Sequence, residues 1–326
     1  MTVKQLDIIN IGLMLLACLA AFLIPFELFL LSYAILGPLH YLTEIGWLHK
    51  RDYFSTGKFD YLWLSLLCLV VVMLGFIFTD VDPKVSAYFM FVGFASAIAM
   101  IAFPSFFHKV ITITVIFFLG LLFIDMPLFL ILFAILLPTI IHVFLFTALF
   151  IIQGALKNKS ITGLISVLVF TACAVSFFIY QPRFDFYTIS TYARENLVST
   201  TFHFVNQYLL YFGGVNNPDM DTIFNSTAGY SVMRLIAFAY TYHYLNWFSK
   251  TSVIKWHEVS KKWLITIFIA WVASVGLYFY DYIVGLKALL LLSMLHVFLE
   301  FPLNFRSVQG IFSSLKELTL QTKDKT

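Results

Sequence analysis

Residues 127–154 read PLFLILFAILLPTIIHVFLFTALFIIQG, twenty-eight positions without an acidic or basic side chain and with one histidine, His142, near the middle. About 20 consecutive apolar residues are enough for a helix to cross a hydrocarbon core about 30 Å thick. A water-facing helix would break such a run with polar residues at helical spacing. The stretch is therefore read as a membrane helix, and its histidine as a costly guest within it. The rest of the chain follows suit. Hydrophobic residues make up 61% of the sequence and charged residues 11%, far from the balance of a soluble domain. The expected class is an all-α, polytopic helical membrane protein, with residues 1–326 forming a single transmembrane domain.

Ten candidate spans can be marked: 6–24, 26–48, 61–79, 85–103, 109–124, 127–154, 161–181, 229–249, 262–280 and 283–305. Pro25 and Pro127 stand at span starts, where the missing N–H costs nothing. The turns Asp80-Val81-Asp82-Pro83 and Ile124-Asp125-Met126-Pro127 are short and acidic. Loops after even-numbered spans hold Lys50, Arg51, Lys58, Lys109, Lys157, Lys159, Lys250, Lys255, Lys261 and Lys262, and the tail adds Arg306, Lys316, Lys323 and Lys325. Basic residues concentrate on the cytosolic side. Both termini and the tail at about 306–326 are thus expected in the cytosol, and the long segment at about 182–228 outside. Within that segment, 202–212 is a candidate interfacial helix. The first span carries no clear cleavage site and is read as retained. The expected location is a multi-pass integral membrane protein of the bacterial inner (cytoplasmic) membrane. The net charge of +3 reflects loop topology and suggests no nucleic-acid partner.

Ionisable groups inside a bilayer usually face a bundle interior, a cavity or each other. Two segments read His-x-x-x-Glu: His40 to Glu44 and His296 to Glu300, each histidine ten residues before a basic anchor, Lys50 or Arg306. At 1.5 Å per residue both histidines lie about 15 Å inside their anchors and both glutamates about 9 Å. His243, seven residues before Lys250, lies about 10 Å deep, and His142 is nearer the midplane. Residues four apart share a helix face. His40, His142, His243 and His296, with Glu44 and Glu300, are the candidate metal ligands, for one ion or two adjacent ions. Imidazole and carboxylate donors suit iron or zinc. Tyr242, Asn246 and Ser249 form a stripe suited to orienting such ligands, and Tyr242, Asn246, Glu44 and Glu300 are the candidate catalytic residues.

Plainer readings stand beside this one. A lone membrane histidine is commonly an interhelical hydrogen-bonding residue. His49, His108 and His257 sit at the boundary as ordinary interfacial residues, with His49 and His257 as reserve ligands. Arg234 and Lys287 are expected to snorkel, and the aromatic residues to face mostly lipid or interface. Cys18, Cys68 and Cys173 fall in apolar runs and are expected as buried thiols. No His-Glu-x-x-His helix, Gly-x-Ser-x-Gly elbow, desaturase-type histidine box, phosphate loop or dinucleotide fingerprint occurs.

Pro38-Leu39-His40-Tyr41-Leu42-Thr43-Glu44 is similar to the Pro-His-x-x-x-Asp segment of the bacterial Brp/Blh-type β-carotene dioxygenases. Tyr242-His243-Tyr244-Leu245-Asn246-Trp247 resembles their late Trp-His segment. Here Leu39 separates Pro38 from His40, Glu44 replaces Asp, and position 247 is Trp where a second His is expected. The resemblance covers two short segments. It implies membrane histidines holding non-haem iron and oxidative cleavage of an isoprenoid. The residues themselves point to a metal site suited to iron or zinc; with what the resemblance implies, the expected function is a metal-dependent, non-haem iron oxygenase of a lipid, isoprenoid or carotenoid substrate, using O₂. A zinc hydrolase of membrane lipids with Glu44 or Glu300 as base, a haem-binding electron carrier and a proton-coupled transporter stand as alternatives.

Overall fold

A computed structural model describes residues 2–78, 80–182, 187–250 and 260–323. His257, Lys255 and Lys325 lie outside the described residues. Among those described there is no strand; thirteen helices account for nearly all of the ordered backbone. They are α1 (Val3–Leu23), α2 (Pro25–His49), α3 (Asp60–Ile77), α4 (Pro83–Ala102), α5 (Phe106–Leu121), α6 (Pro127–Lys157), α7 (Ile161–Ile179), α8 (Thr191–Ser199), α9 (His203–Phe212), α10 (Met220–Asn225), α11 (Thr227–Ser249), α12 (Lys261–Tyr280) and α13 (Tyr282–Lys323).

Every segment marked as a span is a helix. Eight of the ten are long and apolar enough to cross a membrane. Of the other two, α5 has only 16 residues, and α11 carries Arg234 among its hydroxyl-bearing residues. The exposure pattern supports lipid as the surrounding solvent. Leu15, Leu16 and Leu19 on α1 and Ile265, Phe268 and Ile269 on α12 are exposed, while His40, Glu44, His142 and Glu300 are each no more than 2% exposed. In water this arrangement would be inverted.

The chain forms two compact units, Met1–His40 with Val143–Ala288, and Tyr41–His142 with Leu289–Thr326. In the first unit α1 packs on α7 and α11, and the start of α2 on α11. Asp7 ties α1 to the start of α7 by accepting the Ser160 and Thr162 hydroxyls at 2.6 and 2.8 Å. The short helices α9 and α10 lie on α11. Gly229 is obligatory there, since a Cβ would stand 2.2 Å from the Ile223 carbonyl oxygen. Glu27, in the first turn of α2, anchors the 187–190 stretch: its carboxylate accepts the Tyr187 hydroxyl at 2.6 Å and the Ser190 amide at 2.9 Å.

In the second unit α4 packs on α3 and α5. A Cβ at Gly93 on α4 would stand 2.4 Å from the ring of Phe298 on α13. Asp60 and Lys109, both largely buried, pair at 2.6 Å and staple the 50–60 loop to α5. Removing one member of such a pair typically costs about 3–5 kcal/mol. Asp52, Tyr53 and Phe54 all take positive φ, a conformation that bulky residues rarely adopt. The turn is clasped by a Tyr53–Tyr61 stack at 5.0 Å, a Trp47–Phe54 contact, and a hydrogen bond from Arg306 Nε to the Phe54 carbonyl.

The last helix runs past the marked span: α13 has 42 residues and continues to Lys323, with Pro302 inside it. One expectation is corrected. Arg234 does not snorkel. It is 3% exposed, donates to the Pro182 carbonyl at 2.8 Å and lies over the Phe22 ring. Some aromatic residues also fill the interior: Phe26, Phe177, Phe238, Tyr242, Phe298 and Phe301 are fully buried. The 182–228 segment holds three short helices, of which α9 matches the candidate at 202–212.

Candidate metal centre

In the first unit His40, on α2, meets His243, on α11. Their Nε2 atoms are 3.1 Å apart. The opposite ring nitrogen of His243, Nδ1, is 2.8 Å from the Thr147 hydroxyl on α6, which fixes the ring's rotation. Tyr244 and Trp247 pack their rings against His40 at 5.2 and 5.5 Å. Close approach is helped by Gly37, one turn before His40, which faces the Tyr244 hydroxyl.

In the second unit His142, on α6, meets His296, on α13, with Nε2 atoms 3.2 Å apart. His142 Nδ1 is 3.1 Å from the Glu300 carboxylate, and Tyr41 lies against the His296 ring at 5.8 Å. His296 and Glu300 are 5% and 1% exposed. Glu44 is equally buried, one helical turn after His40 on α2. Within each unit a pair of buried histidines is therefore positioned to hold a metal ion: His40 with His243 in the first, His142 with His296 in the second.

The pair geometry is informative. Two imidazole nitrogens bound to one ion at 2.0–2.1 Å stand about 2.9–3.4 Å apart for angles between square and tetrahedral. Both pairs fall in that interval. Two axial histidines of a haem stand about 4 Å apart, on opposite faces of the ring; these pairs leave no gap for a macrocycle. A contact from Nδ1 to a carboxylate or hydroxyl, with Nε2 turned to its partner, is the usual way a protein fixes the tautomer and aim of a metal-binding imidazole. His243 has such a contact in Thr147, and Glu300 stands at ion-pair distance from His142 Nδ1, outside hydrogen-bond geometry.

Local winding contributes to the placement. Ser32–Leu36 on α2 and Ile131–Phe146 on α6 are π-helical. One precedes His40 by a turn and the other contains His142. π-Helical turns are rare and frequent at functional sites.

The remaining expected residues lie as follows. Tyr242 is fully buried, and its hydroxyl donates to Asn10 Oδ1 at 3.4 Å. The position expected for it, on a histidine ring nitrogen, is held at His243 by Thr147. Asn246 is buried, and its carbonyl accepts the Ser249 hydroxyl, which also donates to Asn10. His49 bonds Tyr53 through Nδ1 at 3.1 Å; His203 is buried under the 191–212 helices with Nδ1 on the Leu197 carbonyl. The cysteines are free thiols, Cys68 and Cys173 buried and Cys18 half-buried. Two residues of interest escaped the sequence reading, Thr147 and Asn304. No protein-family model, curated protein or solved structure matches the chain.

Proposed function

We propose that the protein is a membrane-embedded non-haem iron oxygenase acting on a lipid, isoprenoid or carotenoid substrate. The observation that carries the reading is the His142–His296 pair with Glu300 on His142 Nδ1, repeated in kind by His40–His243 with Thr147. Nitrogen and oxygen donors without thiolate suit iron or zinc. An iron ion there would supply activation of O₂. The residues would hold and aim it within each unit: His142 and His296 as nitrogen ligands in one and His40 and His243 in the other, with Glu300 and Thr147 as orienting partners and Glu44 as a further oxygen donor.

Burial favours oxygenation over hydrolysis. A zinc hydrolase needs water delivered to the metal and a carboxylate free to take its proton. Here Glu300 is engaged with His142, and the four histidines are no more than 6% exposed. Dioxygen and an apolar substrate both partition into the bilayer and would enter a dry site from there. The resemblance to the Brp/Blh-type dioxygenases agrees with this class of chemistry. All ten helices of span-like sequence are proposed to cross the bacterial cytoplasmic membrane, with both termini in the cytosol. The test is metal analysis and the visible spectrum of protein purified in detergent, alongside His142→Ala and His296→Ala. Stoichiometric iron lost in both variants supports the reading. Stoichiometric zinc would shift it to the hydrolase, and a metal-free protein with pH-gradient-linked uptake to a transporter.

A further inference from the structure

Asn304 is 2% exposed, and neither its amide nitrogen nor its amide oxygen has a hydrogen-bond partner among the described residues. A buried polar atom left unpaired is destabilising, so a double orphan in an apolar helix bundle calls for a missing partner. Its position is as telling as its isolation. His296, Glu300 and Asn304 follow at intervals of four on α13, so they line one face. Asn304 stands about 6 Å along the axis from Glu300 and about 12 Å from His296, on the side toward Arg306.

We propose that Asn304 holds the hydroxyl of a long-chain alcohol, so that the substrate is a lipid with a neutral polar end and not a pure hydrocarbon. The proposal rests on the oxygenase reading for what happens to the rest of the chain. The choice of group follows from the amide. Its oxygen needs a donor and its nitrogen an acceptor, and a hydroxyl is both. A carboxylate offers no donor and would approach the Glu300 carboxylate. A hydroxyl fixed at Asn304 leaves the reacting carbon about 12 Å away, at the level of His296. Asn304 is thus a specificity residue that sets which part of the chain meets the metal.

The test uses the full-length protein in lipid nanodiscs, with oleyl alcohol and octadecene as probes and native mass spectrometry as the readout. The wild type is expected to bind the alcohol at least about tenfold more tightly than the alkene, as one paired amide predicts. Asn304→Leu should abolish that preference, leave alkene binding and metal content unchanged, and unfold at a temperature no lower than the wild type, because no protein hydrogen bond is lost. Asn304→Met serves as a second variant should the leucine fail to pack. An unchanged preference in the variants, or no preference in the wild type, would overturn the proposal; in that case only water occupies the site. Metal loss or a lowered unfolding temperature in both variants would also overturn it, by making the amide structural. An Asn304-dependent preference in a protein without metal would leave this inference standing while removing the oxygenase reading.

Discussion

Glu300→Gln separates a metal-orienting carboxylate from a packing residue, and the two roles predict opposite signs. The carboxylate lies 3.1 Å from His142 Nδ1 with both side chains 2% exposed. Glutamine keeps the shape and retains an oxygen able to accept the ring N–H, so the ring's aim survives and only the negative charge is removed. Partners of metal-bound histidines typically contribute 10–100-fold in metal affinity, equivalent to about 1.4–2.7 kcal/mol. In the metal-loaded protein the substitution should therefore weaken iron binding by about 10–100-fold, measured by chelator competition. In the metal-free protein it should be neutral or stabilising, because a buried carboxylate is expensive to keep charged. Thermal unfolding of apo and loaded forms of both proteins reads the two signs together. An affinity within threefold of the wild type, or equal destabilisation of the apo and loaded forms, would refute an orienting role.

Other consequences are equally specific. Thr147→Val preserves shape but removes the contact to His243 Nδ1, and metal affinity should fall about tenfold while yield is unchanged, as titration with chelator would show. Burial and the neighbouring Glu27 carboxylate hold the Tyr187 phenol above its ordinary range. A raised phenol contributes stability that is present below the unfolded value of about 10 and lost as pH rises beyond it. Hydrogen exchange across 191–212 should therefore accelerate above about pH 10 in the wild type and show no such step in Tyr187→Phe. Cysteine placed at Tyr192 should react with an impermeant reagent applied from outside, and cysteine at Lys58 only after the membrane is opened; the reverse pattern would invert the proposed topology.

Much of the fold is visible in the hydropathy of the chain, because lipid leaves helices few alternatives. All ten marked segments are helical, with ends displaced by a few residues. What hydropathy misses is helix that serves no membrane. Residues 306–323 are polar but rich in helix formers, so α13 runs on where the apolar run stops. The helices α8 and α10 are short; their signals are the caps Ser190 and Asp219, whose side chains accept from Ala193 and Thr222 amides, and these carry no hydrophobic period.

The site was legible as composition and spacing. Histidine and glutamate inside apolar runs are conspicuous, and His40, His142, His243 and His296 are all buried in the structure. Their partners were not legible. That His40 meets His243 and His142 meets His296 is a product of tertiary packing. The π-helical winding of Ile131–Phe146 also shifts every face that a 3.6-residue period would assign on α6, which hid Thr147. Asn304 was overlooked for a different reason: an asparagine near a helix end reads as interfacial, and only its burial and empty hydrogen-bonding capacity make it notable. Arg234 shows the same limit in reverse, since proximity to a helix end suggested snorkelling and the structure instead caps it with the Pro182 carbonyl.

The most direct test is the metal content of the protein isolated from its membrane without added metal or chelator, measured by inductively coupled plasma mass spectrometry and repeated on the His142→Ala/His296→Ala double variant. The account predicts at least one equivalent of iron per chain in the wild type and its loss from a double variant that still folds. A folded wild type holding no stoichiometric transition metal, or a double variant that retains its iron, would contradict the assignment of these histidines as ligands.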